Sequence, residues 1–259
     1  MPELDLAQLE EDGYTVVPGF MERETCSRLR RHIDSLLPPV GAPRKDPERW
    51  VEVLRHPIPG AVMAEVLDNP ALLELARELI RPGEMRLLEQ VLIRSDPRPP
   101  PHEPLGWHVD WAFFPRHYAA VPRQTYFHMV HCLNTVPPGG AAFMIVPGSH
   151  RLTYAASARM ETDADLARLK NDPGGVAGVD PAEGIEVRPA EGDLLVFNPM
   201  ALHSASGNAT RQPRYVYFAS FFDRTAVDLH SELSRTGYRD GFPPSLRDNL
   251  PPRLRTLLD

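Results

Sequence analysis

Twenty-nine prolines in a chain of 259 residues constrain the fold more than any other feature. That is roughly twice the usual ~5% share. Proline has no amide donor and a fixed φ, so it is excluded from helix interiors and central strands and collects in turns and at edges. The excess predicts many ordered turns and argues against a helical bundle.

The apolar pattern divides the chain. From Glu22 to Leu37, the residues Cys26, Leu29, Ile33, Leu36 and Leu37 fall on one helical face, and Pro38-Pro39 ends the helix. A second helix starts at Asn69-Pro70 and runs through Leu72, Leu73, Ala76, Leu79 and Ile80 to a stop at Pro82-Gly83. Prolines 43, 47, 57 and 59 mark the connection between them. The period then changes to two. Short apolar runs at 86–94, 124–133, 142–146, 185–187, 193–197 and 214–222 alternate with turn signals such as Pro137-Pro138-Gly139-Gly140 and Pro147-Gly148-Ser149. Many short strands without intervening helices predict a sandwich, jelly roll or barrel and not a doubly wound α/β sheet.

These patterns predict one domain over 1–259: a helical support (1–85), a β core (86–223) and a tail (224–259). The polar segment 151–183, with a short helical pattern at Ala164–Lys170, reads as an insertion or lid. A helical stretch at Arg253–Leu258 closes the tail, available to pack on the β core or on another subunit, so a homo-oligomer is allowed.

A net charge of −7 without a basic run argues against a nucleic-acid partner, and none is expected. Cys26 and Cys132 form neither a disulfide framework nor a zinc cluster and read as buried thiols in a reducing, cytoplasmic setting. With no apolar stretch of ~18 residues, no membrane partner is expected, and the acidic N-terminus is not a signal region.

Chemistry is concentrated in the histidines. Two histidines and a carboxylate on one face of a metal are the usual holder of ferrous iron for oxygen chemistry. Their trace is His-x-Asp on a strand, where residues two apart share a side, with a second histidine from a distant strand. With 10 histidines and 35 acidic residues, chance gives about one His-x-Asp/Glu; this chain has three. His32-Ile33-Asp34 lies in the first helix, where such residues diverge, and His230-Ser231-Glu232 lies in the polar tail with no later strand to complete it. His108-Val109-Asp110, at the entry to the β region, has the right setting. His203, after the 193–197 run and Asn198-Pro199, is the partner. Arg214, eleven residues later at the start of the last strand, can hold the distal carboxylate of 2-oxoglutarate by two parallel hydrogen bonds. Alone, His203 reads as a loop histidine and Arg214 as a surface charge; together they form a site.

At this point the chain resembles the phytanoyl-CoA dioxygenase family of double-stranded β-helix, cupin-type oxygenases. The opening Leu9-Glu10-Glu11-Asp12-Gly13-Tyr14-Thr15-Val16-Val17-Pro18-Gly19-Phe20 is similar to that family's start. Val146-Pro147-Gly148-Ser149-His150-Arg151 matches its Pro-Gly-Ser-His signature, in which His150 reads as structural. The resemblance implies a mainly β, jelly-roll fold with flanking helices. It also implies metal ligands His108, Asp110 and His203, and Arg214 as the anchor of 2-oxoglutarate. Asn208 matches a recurrent asparagine, and Gln90 resembles a pocket-lining polar position; both are expected at the co-substrate. Ala205 and Val130 depart from the family's usual serine and tryptophan.

The implied chemistry uses Fe(II), 2-oxoglutarate and O2, coupling decarboxylation of the oxo acid to oxidation of a substrate C–H. Relatives that halogenate replace the carboxylate ligand, so Asp110 favours hydroxylation. Trp107, Trp111, Phe113 and Phe114 flank the motif and could wall an apolar pocket. The absence of a basic cluster for a coenzyme A ester favours a small metabolite or biosynthetic intermediate as substrate. His128 and His131, three apart on one strand, face opposite sides, so at most one enters the pocket. A cupin-like metal hydrolase or isomerase would not need Arg214, and a catalytically silent binding protein would not need all four site residues.

Overall fold

The computed structural model describes residues 3–42, 50–55, 57–80, 83–110, 126–225, 242 and 244–259. Helix α1 (Leu6–Asp12) is capped by Asp5, whose side chain accepts the Gln8 amide at 2.9 Å. It ends on Gly13 at φ +83°, where an added Cβ would lie 2.7 Å from the His150 ring. Strand β1 (Tyr14–Val17) leads to α2 (Arg23–Leu36), which buries Cys26, Leu29 and Ile33 on one face as the apolar spacing predicts. After β2 (Val51–Arg55) come α3 (Ala61–Leu67) and α4 (Pro70–Ile80); Asn69 accepts the Ala71 amide at 2.9 Å and starts α4 where expected.

The β region comprises β3 (Met85–Ser95), β4 (Tyr126–Cys132), β5 (Phe143–Ile145), β6 (Ile185–Val187), β7 (Leu194–Phe197), β8 (His203–Ala205) and β9 (Arg214–Asp223). Two antiparallel sheets result, in the orders β1-β7-β4-β9-β3-β2 and β6-β5-β8. They are not closed into a barrel. The first eighty-five residues are not helical support alone: β1 and β2 form the two edges of the larger sheet. Their runs are short and flanked by helical pattern, so only pairing with β7 and β3 gives them strand form.

One face of the larger sheet packs on the helices. Leu29, Ile33, Met63, Leu67, Leu72, Met129, Phe127, Leu194 and Phe221 belong to that core. Each fully buried side chain of this kind contributes roughly 1.5–3 kcal/mol. The tail joins it, with α8 (Pro244–Asn249) and a 3-10 turn (Pro252–Leu258) burying Leu246, Leu254 and Leu257. The opposite face meets the small sheet through Val130, Cys132, Leu195, Phe143, Ile145 and Phe197. Both cysteines are buried and free. Segment 151–183 is ordered, running through α5 (Ser149–Ser157), α6 (Asp163–Asn171), α7 (Pro173–Ala177) and a 3-10 turn (Pro181–Glu183).

Among the described residues, no helix is long and apolar enough to cross a membrane.

Candidate active site

The two sheets open on a cavity of about 410 Å³, and His108, Asp110, His203 and Arg214 all line it. His108 and His203 are bridged main chain to main chain, each amide donating to the other's carbonyl at 3.0 and 2.9 Å. The rings therefore stand 4.4 Å apart between centroids. The Asp110 amide donates to Pro199 O at 2.7 Å, and the Tyr126 hydroxyl donates to the Asp110 carbonyl. His203 Nε2 lies 3.2 Å and His108 Nε2 3.7 Å from the Asp110 carboxylate. One donor atom from each of the three residues falls within 4.8 Å of the other two.

The tautomers suit a metal. His108 Nδ1 donates to Gly106 O at 3.1 Å and His203 Nδ1 to Ala201 O at 2.9 Å, which leaves both Nε2 lone pairs facing Asp110. Burial lowers the His108 pKa, as does His203. Burial alone would raise that of Asp110, but His203, His128 and His108 together hold it well below the usual carboxylate range. Two imidazoles and one carboxylate are a ferrous-iron donor set.

His203 is placed by the Pro-Gly-Ser-His turn. Gly148 takes φ +74°, and its amide donates to Asp12 O at 3.0 Å. Ser149 Oγ donates to Val146 O at 2.6 Å and accepts the Leu202 amide at 2.8 Å, fixing the residue before the ligand. His150 contacts Glu10 O at 3.1 Å, away from the cavity, and is structural as expected. His32-Ile33-Asp34 does not chelate: His32 contacts Pro59 O at 2.7 Å, and Asp34 pairs with Arg94 at 3.0 Å. His230-Ser231-Glu232 lies outside the described residues.

Arg214 opens β9 opposite Ser95 and is 7% exposed. Its Nε has no hydrogen-bond partner, and among the described residues its guanidinium has no ion pair. Burial pushes its pKa below the ordinary arginine value, with only a small opposing effect of Cys132. An unpaired charge costs several kcal/mol to bury, so an anion in the cavity would offset that cost. The rings of Phe143 and Phe197 (4.9 Å apart) and Phe218 line the same cavity.

Two residues expected at the co-substrate, Gln90 and Asn208, do not line this cavity. Gln90 is fully buried on the helix side of β3, where Nε2 donates to the Tyr217 hydroxyl at 2.7 Å and to Met63 O at 3.3 Å. The cause is a β-bulge between Leu87 and Glu89. The bulge shifts the alternation by one, so Leu88, Glu89, Val91, Ile93 and Ser95 face the cavity and Gln90 turns away. Asn208 also lies outside the cavity. Its side chain donates to Ser95 O (2.9 Å) and Gln212 O (2.8 Å), fastening the loop that delivers Arg214.

Glu89, His128 and Tyr126 are among the cavity residues that sequence reasoning passed over or left open. Glu89 pairs with Arg55 at 2.8 Å. His128 enters the cavity, whereas His131 faces the helices, stacked on Tyr217 at 5.3 Å, so the expected division holds. Strand parity from Val130 and Cys132 is the signal that marks His128. Trp107 packs instead with Val146, Val179 and Leu202; Trp111, Phe113 and Phe114 lie outside the described residues. Lys170, on α6, lines the cavity mouth from the insertion.

The family described as "Phytanoyl-CoA dioxygenase (PhyH)" matches residues 9–216. The ectoine dioxygenase of Sphingopyxis alaskensis is 24% identical over 273 residues, covering 97% of this chain and 87% of that protein. The solved epimerase SnoN, in complex with Fe3+, alpha ketoglutarate and nogalamycin RO, superposes with TM-score 0.62 at 21% identity, over 85% of this chain and 82% of its own. EvdO2 from Micromonospora carbonacea var. aurantiaca, complexed with 2-oxoglutarate, gives 0.60 at 19% identity, over 86% and 94%.

Proposed function

The chain belongs to the phytanoyl-CoA dioxygenase family, and on that premise we propose that it is an Fe(II)- and 2-oxoglutarate-dependent dioxygenase acting on a small metabolite or biosynthetic intermediate. The observation that carries the reading is the unpaired, buried Arg214 in the same cavity as the His108, Asp110 and His203 donors. A divalent metal alone would not call for a buried guanidinium. A 2-oxo acid has one end for the metal and one carboxylate for the arginine. A cupin-like hydrolase or isomerase leaves Arg214 without a partner. A silent binding protein has no need of three metal donors with fixed tautomers.

In this reading His108, Asp110 and His203 hold the iron through Nε2, a carboxylate oxygen and Nε2. Bound iron would supply the open coordination positions at which 2-oxoglutarate and O2 react and a substrate C–H is oxidised. The backbone carbonyls of Gly106 and Ala201 keep both histidines in the liganding tautomer. Arg214 grips the distal carboxylate, and Phe143, Phe197 and Phe218 supply apolar lining to the same cavity. The substrate occupies the remaining space, bordered by Glu89, Arg55 and Lys170. A cavity of about 410 Å³ suits a small molecule beside the co-substrate.

The deciding experiment adds ferrous iron and 2-oxoglutarate to the metal-free protein without oxygen and records the visible spectrum. A metal-to-ligand charge-transfer band that disappears in Asp110→Ala and shifts to much higher 2-oxoglutarate concentration in Arg214→Ala supports the reading. Stoichiometric iron binding with no band overturns it. With a substrate in hand, product mass separates oxygen insertion from inversion of a stereocentre, the outcome relevant to the epimerase neighbour.

A further inference from the structure

His108 and Asp110 lie outside any strand, and His108 is an isolated bridge to His203. Backbone bonds fasten this stretch to β8 and to the connection between β7 and β8. The His108 amide donates to His203 O at 3.0 Å and the Asp110 amide to Pro199 O at 2.7 Å. These bonds hold the motif to one side of the cavity. The direction of the Asp110 side chain depends on the peptide groups on both sides of its Cα, and the Pro199 bond fixes only the first.

Tyr126 fixes the second. It opens β4, in the larger sheet, and is 2% exposed on the cavity side. Its hydroxyl donates to the Asp110 carbonyl. A carbonyl oxygen can only accept, so the direction of this bond depends on no choice of tautomer. The Tyr126 ring meets that of His128 edge-on, 5.6 Å between centroids, and the residue pairs with Phe222 of β9 in register. The Asp110 N–H belongs to one rigid peptide plane and its C=O to the next. The two bonds together therefore set φ and ψ at Asp110, and with them the Cα–Cβ direction.

We propose that Tyr126 is a positioning residue for the metal site: from the larger sheet, its hydroxyl holds the Asp110 carbonyl and so aims the carboxylate toward the Nε2 atoms of His108 and His203. Outer contacts that orient a ligand are worth on the order of 10- to 100-fold in metal affinity. The inference rests on the metal-site reading above.

The test titrates metal-free protein with Ni(II) by calorimetry, records the Co(II) absorption spectrum, and measures the melting temperature of each metal-free variant. Ni(II) is chosen for affinity because it is held more tightly than Co(II), which keeps weakened sites measurable. Tyr126→Phe keeps the ring and removes only the hydroxyl. Replacing Tyr126 by para-aminophenylalanine keeps a donor at the same place. Asp110→Ala has no carboxylate left to aim, so adding Tyr126→Phe to it completes a double-mutant cycle. The expected result is a Ni(II) Kd raised about 10-fold in Tyr126→Phe, with an altered Co(II) spectrum. The para-amino variant should bind near wild type. In the Asp110→Ala background, Tyr126→Phe should leave the residual affinity unchanged. Normal affinity in Tyr126→Phe, or equal losses in both backgrounds, overturns the proposal; the second pattern is that of a purely structural tyrosine. Should Tyr126→Phe fail to fold, weak Ni(II) binding by the folded para-amino variant overturns it. Failure of the underlying reading looks different: wild type then binds no Ni(II), or Asp110→Ala binds it as tightly as wild type.

Discussion

Ser149 and Leu202 are 53 positions apart, yet the serine hydroxyl accepts the leucine amide at 2.8 Å and donates to Val146 O at 2.6 Å. One hydroxyl thus joins the turn after β5 to the residue before His203. Ser149→Ala leaves a buried N–H and a buried C=O without that partner, a loss of about 1–3 kcal/mol. Urea unfolding should show this loss, and Co(II) affinity should fall although no ligand is touched. Unchanged values in both would mean that the turn does not position His203.

Arg214→Lys keeps the charge but not the planar fork, so 2-oxoglutarate affinity should fall by on the order of a hundredfold. Metal binding in the absence of 2-oxoglutarate should stay near wild type. Arg214→Met removes a buried charge that has no ion pair among the described residues. The metal-free Met variant should therefore melt at a higher temperature than wild type, with a gain on the order of a few kcal/mol at most. A lower melting temperature would mean that the guanidinium is satisfied without the co-substrate.

The bulge in β3 separates the roles of neighbours. Gln90→Leu should leave 2-oxoglutarate affinity unchanged and cost about 1–2 kcal/mol, because the buried Tyr217 hydroxyl loses its 2.7 Å partner. Glu89→Gln should alter the KM for the organic substrate while leaving 2-oxoglutarate affinity intact. A change in 2-oxoglutarate affinity for Gln90→Leu would return that residue to the co-substrate.

His131 makes stability sensitive to acid. Burial lowers its folded pKa to about 3, from an ordinary 6.5. Between those values the unfolded chain binds a proton that the folded protein does not. The neutral ring's contribution is complete above pH 6.5 and is lost as pH falls below it, by about 1.4 kcal/mol per pH unit. His131→Phe keeps the stack on Tyr217 and removes the titration. Its urea midpoint should fall less steeply below pH 6.5 than that of wild type; parallel curves would show that His131 is protonated in the folded state.

The sequence by itself determined the parts of this protein that rest on local pattern. Apolar spacing gave α2 and α4, because a helix needs only a face that repeats every three to four residues. Period two gave β3, β4 and β9, and a His-x-Asp with a downstream histidine and arginine marked the four residues that line one cavity. Tertiary structure decided what depends on partners distant in the chain. β1 and β2 are strands because β7 and β3 pair with them. One inserted residue in β3, invisible as composition, turned Gln90 away and Glu89 inward, and it shows only in the register against β9. Asn208 became a loop fastener because Ser95 lies across from it. His128 stands beside Asp110 only because two sheets meet there, a contact between side chains that no spacing along the chain encodes.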